Sequence, residues 1–163
     1  MHYWTLLLIG ERDSYTFSNN WLHDVSGRAP HYGTTDTDSQ IFFHGVNNYF
    51  QNVGGHAFDI AGNTWSLMEG NYFENVTTPI TEASLDSGAL IYDVPTEDAA
   101  SACSASLGYV CEWNRLSESG ELTSRTDEEV FTRAAGYTGS LVDHESVGDV
   151  PDDVVANAGV GKV

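Results

Sequence analysis

The amino-acid sequence predicts an all-β solenoid, a parallel β-helix in which short strands stack as successive coils. Two observations predict it. A hexapeptide recurs as Asn20-Trp21-Leu22-His23-Asp24-Val25, Asn48-Tyr49-Phe50-Gln51-Asn52-Val53 and Asn71-Tyr72-Phe73-Glu74-Asn75-Val76, at offsets of 28 and 23 residues. Each copy follows a short β-prone run, namely Tyr15-Thr16-Phe17, Ile41-Phe42-Phe43 and Trp65-Ser66-Leu67-Met68, without a helical period.

Each unit therefore reads as strand, tight turn ending in Asn, strand. Asn tolerates the left-handed backbone of such a turn better than other residues with a side chain. Its amide can also bond to the same Asn one coil away, giving a ladder along the stack. A coil cannot bury its own apolar face, so the coils must stack. Thr5-Leu6-Leu7-Leu8-Ile9 reads as a further strand. The longer step holds its extra length between Ser26 and Gln40, expected to be a loop thrown out from the coil. A β-sandwich would need three in-register copies by coincidence, and the Leu framework of a leucine-rich repeat is absent. Residues 1–80 read as coils with the active-site loop at 26–40. Residues 81–163 read as the last coil or coils, a clipped loop and a covering tail of the same domain. Within the tail, Asp127 to Ala134 reads as a short helix with acids in its first turn.

The 163 residues carry 24 acidic and 6 basic side chains, a net charge of −18. That charge argues against nucleic acid as a partner and against an anionic membrane surface. The longest apolar run, Leu6 to Ile9, is too short to span a bilayer. Residues 82–163 hold 16 of the acids, so the back half reads as a solvated covering layer over a neutral, aromatic front half. Cys103 and Cys111 are either two buried thiols or a local disulfide clipping a surface loop; the latter implies an oxidising, secreted setting. The sequon Asn75-Val76-Thr77 is a candidate glycosylation site and agrees with secretion. Met1-His2-Tyr3-Trp4 shows no signal peptide, so the true N-terminus is expected upstream.

Loops on a rigid solenoid concentrate function. Arg28, one of two basic residues in the first 81, stands out there. It is either ion-paired with Asp24, Asp36 or Asp38, or presented to a substrate carboxyl or ester. His23, His31, His44 and His56 are spaced irregularly and read as polar coil-surface residues. Asp36 and Asp38 lack the further oxygens that calcium needs, so no metal and no cofactor are expected. Tyr3 and Trp4 suit the core, or a stacking platform for a sugar ring.

Taken together, His2-Tyr3-Trp4, Val25-Ser26-Gly27-Arg28-Ala29-Pro30, Val46-Asn47-Asn48-Tyr49-Phe50, Gly55-His56-Ala57-Phe58-Asp59-Ile60 and Met68-Glu69-Gly70-Asn71-Tyr72-Phe73 resemble the fungal pectin lyases. These belong to the pectate lyase-like polysaccharide lyases, built on a right-handed single-stranded parallel β-helix. Cys103 and Cys111 look like that family's late disulfide. The resemblance covers nearly all of this chain but only the second half of the family's domain. It implies a C-terminal half, with first coils elsewhere supplying an Asp and another Arg. It also implies a secreted protein, monomeric at full length, acting on pectin (methyl-esterified polygalacturonan) by metal-free β-elimination. Arg28 falls on the family's catalytic arginine, and Trp4 on a cleft tryptophan with Tyr3 beside it. His31, a candidate substrate contact, stands where the family commonly has Lys.

The implied chemistry removes the C5 proton α to the C6 ester carbonyl and expels the C4 glycosidic oxygen. It needs stabilised enolate charge and a base. The resemblance makes Arg28 a candidate base; a guanidinium is normally never neutral, which favours charge stabilisation instead. The −18 charge suits an esterified polymer, since it repels anionic pectate over about 8–10 Å. Two alternatives remain open at this level: a calcium-dependent pectate lyase, and a non-catalytic β-helix that binds polysaccharide.

Overall fold

Parallel pairing organises the chain. The computed structural model describes residues 3–34, 36, 38 and 40–162. The readings that fall on Met1, His2, Thr35 and Thr37 lie outside the described residues. The strands are β1 (Leu7–Leu8), β2 (Ser14–Ser18), β3 (Trp21–His23), β4 (His31–Tyr32), β5 (Ile41–Val46), β6 (Tyr49–Ile60), β7 (Thr64–Glu69), β8 (Tyr72–Ile80), β9 (Leu90–Tyr92) and β10 (Arg115–Ser117). One wall runs β1-β4-β6-β8-β10 with β3 beside β6, and the other runs β2-β5-β7-β9. Every pairing between these strands is parallel. The fold is the β-solenoid that the recurrence predicts.

The register reproduces the sequence offsets. Trp21 lies beside Tyr49, and Tyr49 beside Tyr72. At the turns, Asn20 Nδ2 donates to Asn48 Oδ1 (3.0 Å), Asn48 Nδ2 to Asn71 Oδ1 (2.9 Å) and Asn71 Nδ2 to Asn114 Oδ1 (2.9 Å). Each of these oxygens also accepts a backbone N–H from the preceding coil. The predicted ladder thus gains a fourth rung, Asn114, which arrives after a long excursion and lacks the aromatic that follows its counterparts. A second, exposed ladder joins Asp24, Asn52 and Asn75, all left-handed with φ of 54°, 54° and 52°.

Apolar side chains stack inside the coils. Phe50 and Phe73 lie face to face at 5.0 Å, Tyr32 and Phe43 at 3.9 Å, and Phe58 meets Phe43, Phe50 and Phe73 edge-on. These rings are buried, and each contributes about 2–3 kcal/mol by leaving water. The outer face of the second wall is buried too, so β5 is buried along its whole length, His44 included. Phe42, Leu67 and Tyr92 on that face pack under α2 (Glu97–Leu107) and α3 (Glu129–Ala134). A disulfide ties Cys103 of α2 to Cys111. Its first cysteine lies in a helix, whereas the sequence suggested a loop: the Thr96 side chain caps α2 by accepting the Ala99 N–H, and Gly108 ends it with a left-handed φ of 82°. α3 falls within the predicted helical stretch. α4 (Val150–Asn157), read from sequence as an extended covering loop, lays Val150 and Val154 on Tyr49. No helix among the described residues is long and apolar enough to cross a membrane.

The predicted loop at 26–40 needs correction. His31 and Tyr32 form β4 and pair with Asp59 and Ile60, still 28 residues on, whereas Ile41 pairs with Thr64 after only 23. The additional five residues therefore lie between Tyr32 and Ile41, and 28–32 belong to the solenoid wall.

The buried ladder is expected to matter far more than the exposed one. Asn71→Ala takes partners from Asn48 and Gly45 in one neighbouring coil and from Asn114 in the other, and should cost about 3 kcal/mol or more. Asn52→Ala should cost about 1 kcal/mol, chiefly for a left-handed backbone without Asn. Urea unfolding midpoints of the two variants check the order.

Candidate active site

The side chains that meet on this wall are one coil apart in sequence. The 28-residue register that sets His31 beside Asp59 also sets the Arg28 segment against His56 and Ala57. Arg28 precedes β4 in the left-handed region, with φ of 51°. Its carbonyl accepts the Leu6 N–H (3.0 Å), and the next amide, Ala29, donates to the Ala57 carbonyl (3.0 Å). The backbone is clamped between two coils, which holds an arginine in a conformation that costs about 1–2 kcal/mol. Close approach requires Gly55: a Cβ there would lie 2.1 Å from the Ser26 carbonyl oxygen.

Asp59 is the hub. Its Oδ2 lies 2.8 Å from His31 Nδ1, 3.2 Å from Arg28 Nε and 3.7 Å from His56 Nε2. Its Oδ1 accepts the Thr81 hydroxyl at 3.1 Å, and Thr81 in turn caps α1 (Glu82–Asp86) by accepting the Ser84 N–H. His31, Asp59 and Thr81 thus form a polar column across three coils. The Asp59 side chain is only 10% exposed and that of Arg28 24%. Arg28 Nε is buried but not aligned on Asp59 as a hydrogen bond, so the contact is an ion pair.

Aromatic rings complete the seat. The Arg28 guanidinium carbon sits 4.0 Å above the Trp4 ring and 5.7 Å from that of Tyr3, a cation–π contact worth about 1 kcal/mol. Tyr3 meets His56 edge-on at 5.6 Å. Burial pushes the His56 imidazole below its ordinary range; Asp59 opposes this, while Arg28 and His31 add to it. Arg28, His31 and Asp59 also line an open cleft of about 480 Å³ with Thr34, Asn63 and Ser87. The assembly presents a cation on an aromatic face, beside a shielded carboxylate, at the edge of that cleft.

Of the residues singled out from sequence, Tyr3, Trp4, Arg28 and His31 come together. Tyr3 and Trp4 are 45% and 54% exposed, so the core reading for them is replaced by a surface platform. Arg28 pairs with Asp59 and not with the acids expected from spacing; Asp24 instead meets His23 at 2.9 Å. The coil-surface reading fails for His44, which is wholly buried against Glu69. Cys103 and Cys111 lie behind the other wall, and exposed Asn75 donates to Asn52 in the outer ladder. The sequence reading does not name Asp59 and His56 as site residues. The repeat offset was the signal, since 28 residues added to His31 and Arg28 reach them.

Comparison with known proteins places the chain in company. The pectate lyase family matches residues 10–163. The chain is 72% identical over 162 residues to a protein named probable pectin lyase F-1 of Aspergillus terreus, across 99% of this chain and 42% of that relative. It is 67% identical, with the same coverage, to a probable pectin lyase E of Aspergillus fumigatus. A probable pectin lyase F of Aspergillus niger is 38% identical across 99% of this chain and 32% of its own length. The chain therefore spans about two fifths of the length of the first two curated relatives.

The depressed His56 has a consequence for stability. The folded chain resists a protonation that the unfolded chain undergoes near 6.5, so acidification below that value favours unfolding. His56→Gln should lessen the loss of stability on acidification from about pH 7 to about pH 5. Thermal melts of both proteins across that window test it; parallel curves count against it.

Proposed function

This chain belongs to the pectate lyase family, and we propose that it carries part of the cleft of a pectin lyase, which cuts methyl-esterified polygalacturonan by β-elimination. The observation that carries the proposal is the seat of Arg28: a guanidinium laid on Trp4, paired with Asp59 and opening on a cleft in a solenoid wall. The names of the relatives at 72% and 67% identity support it.

In this reading Trp4 and Tyr3 stack against pyranose rings, whose axial C–H groups suit an aromatic face. A base that this chain does not itself supply takes the C5 proton, and the C–H electron pair moves toward the C6 carbonyl. Arg28 donates to that oxygen and stabilises the enolate as it forms. The pair then returns to form the C4–C5 double bond, and the C4 glycosidic oxygen leaves, taking a proton from water. Arg28 acts as charge stabiliser and not as base, because a guanidinium keeps its proton in proteins. His31, tied to Asp59, contacts the polymer at the same end of the cleft. A net charge of −18 disfavours the approach of de-esterified, anionic chains. We also propose secretion, in keeping with the disulfide, and Asn75 as a glycan acceptor.

The test joins this chain behind the N-terminal part of its Aspergillus terreus relative and supplies highly esterified pectin. Ultraviolet absorbance of a 4,5-unsaturated product should rise, and a chelator should leave the rate unchanged. No absorbance change would overturn the proposal, and loss of rate with chelator would favour a calcium-dependent pectate lyase. In the same assay Arg28→Lys should lower turnover by at least about a hundred-fold with an unchanged melting curve, since Lys lacks the guanidinium fork.

A further inference from the structure

We propose that Asp59 is the specificity-determining residue of this cleft: its charge cancels that of Arg28, so the site accepts a neutral methyl ester and turns away a free carboxylate. This role presupposes the galacturonan reading above and adds to it which residue separates ester from acid.

An unpaired arginine is a carboxylate receptor. Its planar fork matches two carboxylate oxygens, and such charge-assisted pairs are about twice as strong as neutral hydrogen bonds. A cleft built around Arg28 alone would therefore favour the acid. Asp59 removes that preference at the source, with Oδ2 3.2 Å from Nε. At 10% exposure its charge is poorly screened, and it is fixed by His31 on one oxygen and Thr81 on the other. The remaining polar lining of the cleft, Thr34, Asn63 and Ser87, is uncharged. Burial disfavours the charged form of His56 beside this pair.

Both Asp59 oxygens accept, Oδ1 from the Thr81 hydroxyl and Oδ2 from His31, so an asparagine would keep only one of these acceptors. Beyond holding those two partners, the carboxylate supplies repulsion of a second anion. An ester carbonyl can still accept from the Arg28 fork, since a hydrogen bond to a neutral oxygen does not depend on net charge at the site. At the separation of a group bound across the guanidinium, one fixed charge shifts the affinity for an anion by at least about ten-fold.

The test uses this chain with two probes of equal length at neutral pH, a fully methyl-esterified and a fully de-esterified galacturonan oligomer, and measures both dissociation constants by calorimetry. Wild type should prefer the ester. Asp59→Asn should move the ratio of constants at least about ten-fold toward the acid, mainly by tighter acid binding. Asp59→Glu, which keeps the charge, should stay within about two-fold of wild type. Melting curves establish folding; if the Asn variant does not fold, Asp59→Ser removes the same charge and must shift the ratio in the same direction. A folded, uncharged variant with the wild-type ratio would overturn the role and leave the galacturonan reading standing. A wild-type chain that binds neither probe would overturn the role, and the galacturonan reading would then stand or fall by the absorbance assay of the joined protein.

Discussion

In-register stacking of parallel coils is the constraint on which the rest depends. A coil of this size has no interior of its own, and its apolar side chains are covered only when the next coil repeats them at the same position. Phe50 over Phe73 and the four-membered Asn ladder express one rule for apolar and for polar side chains. The ladder is strict because each buried amide donates to one coil and accepts from another, so a slip by one residue would orphan several groups at once.

The same rule builds the cleft. His31, Asp59 and Thr81 are brought together because equivalent positions of neighbouring coils are adjacent, and Arg28 is carried beside them by the strand it precedes. A site assembled in this way takes its geometry from the spacing of the coils. It is also electrostatically modest, since a lone cation is offset by the carboxylate in the coil beside it. In the proposed reading, that balance suits a polymer whose carboxyls are masked as esters.

The acidic back half of the chain is a covering layer held by polar as well as apolar contacts. The Tyr109 hydroxyl donates to buried Glu69 at 2.8 Å, and the other Glu69 oxygen accepts the Glu112 amide. Asn47 both accepts from and donates to the Glu145 backbone. The Thr123 hydroxyl reaches Asp93, whose carboxyl burial pushes up to about 6. In each case a side chain of the coils satisfies the layer laid over them, as buried polar groups require. Most of the negative charge thereby stays in solvent, on the outer side of that layer.

The sequence by itself determined the repeat, the strand–turn–strand unit, the Asn ladder and its register, because each coil must carry its own copy of what it stacks with. It also singled out Arg28, as an isolated cation in an acidic chain. Only the tertiary structure decided what departs from the repeat. It placed the additional five residues after Tyr32 and brought Asp59 rather than a nearby acid to Arg28. It also exposed Tyr3 and Trp4 and folded 150–157 into a helix on Tyr49. These features are non-periodic, and their partners lie tens of residues away. Spacing along the chain cannot report a contact fixed by the distance between coils.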